Sequence, residues 1–98
     1  VNVYPSEIEA VLRRWPGLTD VAVLGRPDDE WGEVPVAFVT VESGTQVDDD
    51  AMRAFCRLHL AGLKVPRSVQ VIDEFPRTAT GKIRKVELRN YLLTATDG

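Results

Sequence analysis

The chain has 98 residues, enough for one small domain that buries about 65% of its unfolded surface but too few for a deep pocket of its own. With 44% apolar and 28% charged residues it has the composition of a soluble globular domain, and a net charge of −3 is the wrong sign for generic nucleic-acid binding. Cys56 is the only cysteine, which excludes an internal disulfide or a cysteine zinc site and fits a reducing, cytoplasmic setting; no run of about 18 apolar residues offers a membrane span.

Ser6 and Glu9 have the spacing of a capping box, and Ile8, Val11, Leu12 and Trp15 follow at helical intervals, so a helix is expected over 6–14. Pro16-Gly17 stops it, with Trp15 as a core or rim packing residue. Asp20 to Leu24 reads as a short valine-rich strand. Val34 to Val41 reads as a second strand, apolar on both faces and therefore central, with Pro35 near its start. The stretch between them, Gly25 to Glu33, is expected to be a loop, too long and too charged for a tight hairpin, with Trp31 partly buried over the sheet end.

A turn centred on Ser43-Gly44 precedes Asp48, Asp49 and Asp50, which suit a helix N-terminus better than a metal site. Met52, Phe55, Cys56, His59, Leu60 and Leu63 recur at helical spacing, and Gly62 is the expected stop. Cys56 is then core filler. His59 is a packed or bordering residue, because no acid or nucleophile is spaced to partner it. Lys64-Val65-Pro66-Arg67 leads into a third strand, Ser68 to Ile72. Ile83, Val86, Leu88, Tyr91 and Leu92 suit a last amphipathic helix, with 94–98 fraying. The order α-β-β-α-β-α implies a small α+β domain: a mostly antiparallel sheet of about three strands packed by helices.

The most informative stretch is Pro76 to Lys85, PRTATGKIRK. Its four cations, Arg77, Lys82, Arg84 and Lys85, stand in a chain whose net charge is −3, a focused positive patch on an acidic background. Thr78, Ala79, Thr80 and Gly81 are small enough for a ligand to approach the backbone, which puts Lys82 at the tip of a mobile loop. A phosphate-binding P-loop is excluded, because Pro76 occupies the first glycine position and Ile83 follows the lysine. A solvated basic turn opening the last helix would set its cations against the helix dipole, at about 0.3 to 1 kcal/mol each.

These ten residues closely resemble the C-terminal signature of the AMP-forming acyl-CoA synthetase and adenylate-forming enzyme superfamily. Asn2-Val3-Tyr4-Pro5 with Glu7 and Glu9, then Gly25 to Glu33, then Leu60-Ala61-Gly62-Leu63-Lys64-Val65-Pro66 resemble the same domain in the same order. The resemblance implies a C-terminal lid domain over 1–98, read as a piece of a larger enzyme whose large N-terminal domain binds MgATP and the carboxylic acid, so the fragment alone should be inactive. It implies an acid–thiol ligase that makes an acyl-adenylate and then a thioester with coenzyme A.

Lys82 matches the family's adenylation lysine, flanked by Thr80 and Gly81 on the nucleotide side. Arg77 and Lys85 become positioning or interdomain contacts. Trp31, Lys64 and Arg67 become the coenzyme A-facing surface, although Leu63 stands where relatives often carry an aromatic. The N-terminal domain and coenzyme A are the implied partners, with a lysine acyltransferase acting on Lys82 as a possible third and neither nucleic acid nor a membrane among them. Two other functions share parts of this pattern: an adenylation domain that loads carrier-protein pantetheine, and a stand-alone binding or regulatory module.

Overall fold

The computed structural model describes residues 4–90. The elements are α1 (Pro5–Leu12), β1 (Leu18–Asp28), β2 (Gly32–Val41), α2 (Asp49–His59), a 3-10 turn over Gly62–Lys64, β3 (Val69–Val71) and α3 (Lys85–Leu88). The sheet order is β1-β2-β3, antiparallel between β1 and β2 and parallel between β2 and β3. The expected α+β order and central β2 are found. The parallel pair requires a crossover, which α2 supplies.

Both faces of the sheet are covered, so the strands read as continuous apolar runs. Val21, Val23, Ala37, Val39 and Val69 turn one face to Ile8 and Leu12 of α1 and to Met52 and Cys56 of α2. Ala22, Leu24, Val36 and Phe38 turn the other to Phe75 and Leu88, with Ile72 and Ile83 at its margin. Pro35 stands opposite Gly25, and its carbonyl accepts the Arg67 N–H at 2.8 Å. Its nitrogen faces the β3 side one step before β3 begins, so no ladder bond is lost.

The outer edge of β1 needs another solution. Val21, Val23 and Gly25 direct backbone groups away from β2, and three side chains close that edge. Asp20 Oδ1 accepts the Val21 N–H at 2.9 Å, Glu9 Oε2 accepts the Val23 N–H at 2.9 Å, and Arg89 donates to the Gly25 carbonyl. These bonds take three backbone groups that another strand would need in order to pair here.

Several sequence expectations are corrected here. Ser6 and Glu9 do not form a capping box: Tyr4 is the N-cap without a side-chain bond, Pro5 opens the helix, and Glu9 is 8% exposed because its carboxylate is drawn to β1 instead. Gly25 to Glu33 is a tight hairpin, with paired strands running to Asp28 and Gly32. Asp28 Oδ2 accepts the N–H groups of Glu30 at 3.1 Å and Trp31 at 2.9 Å, and Gly32 takes φ of 79°, so side chain and glycine together make a three-residue turn. Helix α2 stops at His59, where Leu60 turns extended and packs towards the α-helical face, while Gly62 opens the 3-10 turn.

Ile83 lies in a bridge with Arg77 before α3, and Val86 on α3 is exposed. Tyr91, Leu92 and the expected fraying over 94–98 fall outside the described residues, as do Asn2 and Val3. Asp48 does cap α2, through the Asp50 N–H at 3.0 Å, while Asp49 accepts the Val69 N–H of β3 at 2.8 Å. Trp15 packs at the rim, edge-on to Phe55.

Glu9 joins α1 to β1, so its removal should be costly. Glu9→Ala leaves the Val23 N–H buried without an acceptor and should destabilise the domain by about 1 to 3 kcal/mol. Glu9→Gln keeps an acceptor and should lose clearly less. Urea midpoints for the two variants at neutral pH check the ranking.

Candidate functional site

The segment from Pro76 to Lys85 folds as a compact hairpin standing against the even-numbered face of the sheet. Arg77 and Ile83 form its bridge, and Arg84 N–H donates to the Pro76 carbonyl at 2.8 Å. Gly81 N–H closes the turn on the Thr78 carbonyl at 2.9 Å. Gly81 has φ of 92°, and an added Cβ would touch nothing within 4 Å, so the requirement for glycine here is conformational and not steric. Ala79 and Thr80 occupy the tip, and Lys82 begins the return arm, a correction to its expected place at the tip.

The backbone of Lys82 is held from both sides by one residue. Thr78 N–H donates to the Lys82 carbonyl at 2.8 Å, and Thr78 Oγ1 accepts the Lys82 N–H at 3.1 Å while lying 3.0 Å from Thr80 Oγ1. The side chain itself is exposed.

The four cations of this segment separate by partner. Arg77 Nη2 meets Asp20 Oδ2 at 2.5 Å and its Nη1 donates to the Gly81 carbonyl at 2.8 Å. Lys85 Nζ meets Glu9 Oε2 at 2.7 Å, and Arg84 meets Glu87 at 3.4 Å. Only Lys82 has no carboxylate or hydrogen-bond partner for its ammonium among the described residues. The patch that the sequence presents as four cations is thus three internal pairs and one available charge.

Burial raises the pKa of Asp20, but the hydrogen bonds from Arg77 and Val21 and the charges of Arg77 and Arg13 outweigh it and hold the carboxyl below its ordinary value. Burial alone pushes the Cys56 thiol up, which suits a core filler and not a nucleophile.

The other predicted residues lie elsewhere. Lys64 is tied to Glu7 at 2.7 Å and sits 5.8 Å from the Tyr4 ring centre, so it does not act as a pair with Arg67. Arg67 is exposed beside Pro35, towards the hairpin end of the sheet where the Trp31 turn lies. Trp31 is 38% exposed. Arg77 ties the Lys82 hairpin to Asp20, near the start of β1, and at about 3.4 Å per residue the Trp31 turn lies ~27 Å away along that strand. A groove of about 590 Å³ between β3 and α3, acidic at Asp73, Glu74 and Glu87, contains none of the predicted site residues.

Sequence reading missed Asp20 as a functional partner and mistook the role of Glu9. The available signal was charge balance: a cationic segment in an acidic chain requires carboxylates, and these two border the valine-rich strand or the helix packed on it.

The depressed pKa of Asp20 sets a pH dependence. Its ion pair contributes in full above the ordinary carboxyl pKa of about 4, and the contribution disappears as pH falls through the depressed folded value. Asp20 and Arg77 are both partly open to solvent, so the pair is worth about 1 kcal/mol. Asp20→Asn should therefore be less stable than the parent by about that amount at neutral pH, and the gap should close in acid. Denaturation curves for both chains from pH 7 downwards measure it.

With that geometry in place, comparison with known proteins is specific. The profile of the AMP-binding enzyme C-terminal domain family matches residues 7–82. A 2-succinylbenzoate–CoA ligase of Listeria monocytogenes is 43% identical over 88 residues, covering 90% of this chain and 18% of that protein. A feruloyl-CoA synthase of Amycolatopsis is 47% identical over 88 residues, covering 90% of this chain and 18% of that protein. The fatty acyl CoA synthetase of Mycobacterium tuberculosis superposes with a TM-score of 0.87 at 39% identity, over 97% of this chain and 19% of that one. The chain spans under a fifth of the length of these relatives, and it belongs to the AMP-binding enzyme C-terminal domain family.

Proposed function

We propose that this chain is the C-terminal lid of an ATP-dependent, AMP-forming carboxylic acid–CoA ligase, and that it supplies Lys82 to the adenylation step. The observation that carries the reading is the sorting of charges: three of the four cations in the hairpin are paired internally, and Lys82 is left exposed, without a partner among the described residues, on a backbone fixed by Thr78. The family supplies the reaction class, and the relatives described above are CoA ligases and synthetases by name.

In the first half-reaction a carboxylate oxygen attacks the α-phosphorus of ATP, a C–O–P linkage forms, and pyrophosphate leaves with the electrons of the broken P–O bond. Two anions must approach, and an ammonium placed between them offsets the repulsion most strongly where water is excluded. Lysine suits this, being a compact point charge on a flexible stem. Thr80 and Gly81 leave room for the nucleotide beside it, while Arg77 and Lys85 hold the hairpin to the sheet. Magnesium travels with the ATP substrate.

In the second half-reaction coenzyme A sulfur attacks the acyl carbonyl and AMP leaves. The Trp31 turn, with Arg67 towards the same end of the sheet, is the surface offered to the nucleotide of coenzyme A. Lys64 contributes there only if its pair with Glu7 opens. The separation of this end from the Lys82 hairpin along β1 favours a domain that presents one end to each half-reaction. The named relatives favour coenzyme A over a carrier-protein thiol as acceptor. An exposed, unpaired Lys82 would also be open to a lysine acyltransferase, and acylation would remove the charge that adenylation needs.

Two measurements on the complete ligase test this. Lys82→Ala should slow adenylate formation by ~10² to 10³, about 2.7 to 4 kcal/mol of transition-state stabilisation, while thioester formation from pre-made acyl-adenylate stays close to the parent rate. Equal losses in both half-reactions would refute the division of labour. Trp31→Ala should raise the coenzyme A KM by about fivefold, the loss of ~1 kcal/mol of stacking on a partly exposed ring, with adenylation intact. An unchanged KM would return Trp31 to a packing role at the turn.

A further inference from the structure

The peptide unit that joins Gly81 to Lys82 is gripped at both ends. Its carbonyl accepts from Arg77 Nη1 at 2.8 Å, and its N–H donates to Thr78 Oγ1 at 3.1 Å. Thr78 belongs to the hairpin and moves with it. Arg77 does not stop at the hairpin, because its second nitrogen, Nη2, donates to Asp20 Oδ2 at 2.5 Å. The other oxygen of Asp20 accepts the Val21 N–H of β1 at 2.9 Å. An unbroken line of hydrogen bonds thus runs from the edge of the sheet, through one carboxylate and one guanidinium, to the plane of the peptide that launches Lys82.

We propose that Asp20 is a positioning residue for adenylation, acting through Arg77 to fix the direction in which Lys82 leaves the hairpin; this rests on the reading of Lys82 given above. Asp20 touches Lys82 nowhere. Its effect is geometric: the planar guanidinium has two donors in a fixed fork, so anchoring one on Asp20 determines where the other meets the Gly81 carbonyl.

Other contacts already hold the base of the hairpin. Arg84 bonds to the Pro76 carbonyl, Ile83 packs at the margin of the even-numbered face and Phe75 is buried in it. Loss of Asp20 therefore leaves the hairpin folded and removes the tie between the Gly81–Lys82 peptide and the sheet edge. A displacement of about 1 Å at a reacting charge is enough to slow catalysis by up to ~10².

The test is a double-mutant cycle in the complete ligase, with adenylate formation and thioester formation from pre-made acyl-adenylate assayed separately. Asp20→Ala should lower kcat for adenylation by about tenfold with KM for ATP and for the acid little changed, and should leave thioester formation at the parent rate. In a Lys82→Ala background the same substitution should cost adenylation nothing further, because its effect passes through the lysine, whereas its small effect on the urea midpoint should persist. Asp20→Asn, which keeps an acceptor for Val21, guards against a folding failure and should show the same pattern in weaker form.

A loss of adenylation that is as large without Lys82 as with it, or equal in both half-reactions, would make Asp20 a purely structural residue and overturn the proposal. An undamaged Asp20→Ala beside a damaged Lys82→Ala would overturn it alone. A Lys82→Ala enzyme that adenylates normally would overturn the reading of Lys82, and the relay with it.

Discussion

The outer edge of β1 is the constraint on which the rest of the structure depends. A strand at the edge of a sheet leaves every second pair of backbone groups without a partner, and here the Val21 N–H, the Val23 N–H and the Gly25 carbonyl are met by Asp20, Glu9 and Arg89. Closing an edge with carboxylates brings negative charge against an apolar core, and each charge needs a counterion there. Arg77 and Lys85 provide them from a segment more than fifty residues further along the chain. The same carboxylates that bond the β1 edge therefore dock the C-terminal hairpin, and Phe75, Ile83 and Leu88 complete the second face of the core beneath it.

This arrangement separates two kinds of work. The face formed by odd-numbered strand residues is committed to α1 and α2, which hold the crossover from β2 to β3. The other face and the free edge carry the hairpin with Lys82, and the far end of the β1–β2 ladder carries Trp31. The three-stranded sheet between them sets the separation of these features, as the proposal of one end for each half-reaction requires.

What the sequence makes legible follows from which interactions are local. The two-faced apolar pattern of Val34 to Val41 identifies a central strand, and Asp48 identifies a helix start, because each signal lies within a few residues of its structural consequence. The Asp28–Gly32 hairpin was misread because its turn depends on one side chain bonding two amides and one glycine at positive φ, a combination that composition presents only as a charged loop. Glu9 was misread because a local capping pattern competed with a strand fourteen residues away, and the strand prevailed. The turn before Lys82 was legible from four small residues and a motif. The tie from that turn to the sheet was not, because Asp20 and Arg77 are 57 residues apart and meet only through the fold.

That Lys82 has no partner among the described residues of an acidic chain itself requires explanation. Fifteen carboxylates against twelve cations make an accidental partner easy to find for an exposed ammonium. The acids that pair with this segment are already engaged: Asp20 by Arg77 and the Val21 amide, Glu9 by Lys85 and the Val23 amide, Glu87 by Arg84. Each of these carboxylates would have to abandon a cation, and two of them a backbone amide as well, in order to reach Lys82. Neutralising the other three cations is thus also what protects the fourth. If Lys82 meets an incoming anion, as proposed, it does so without first leaving an internal partner among the described residues, and the pairs of Arg77, Arg84 and Lys85 secure that condition.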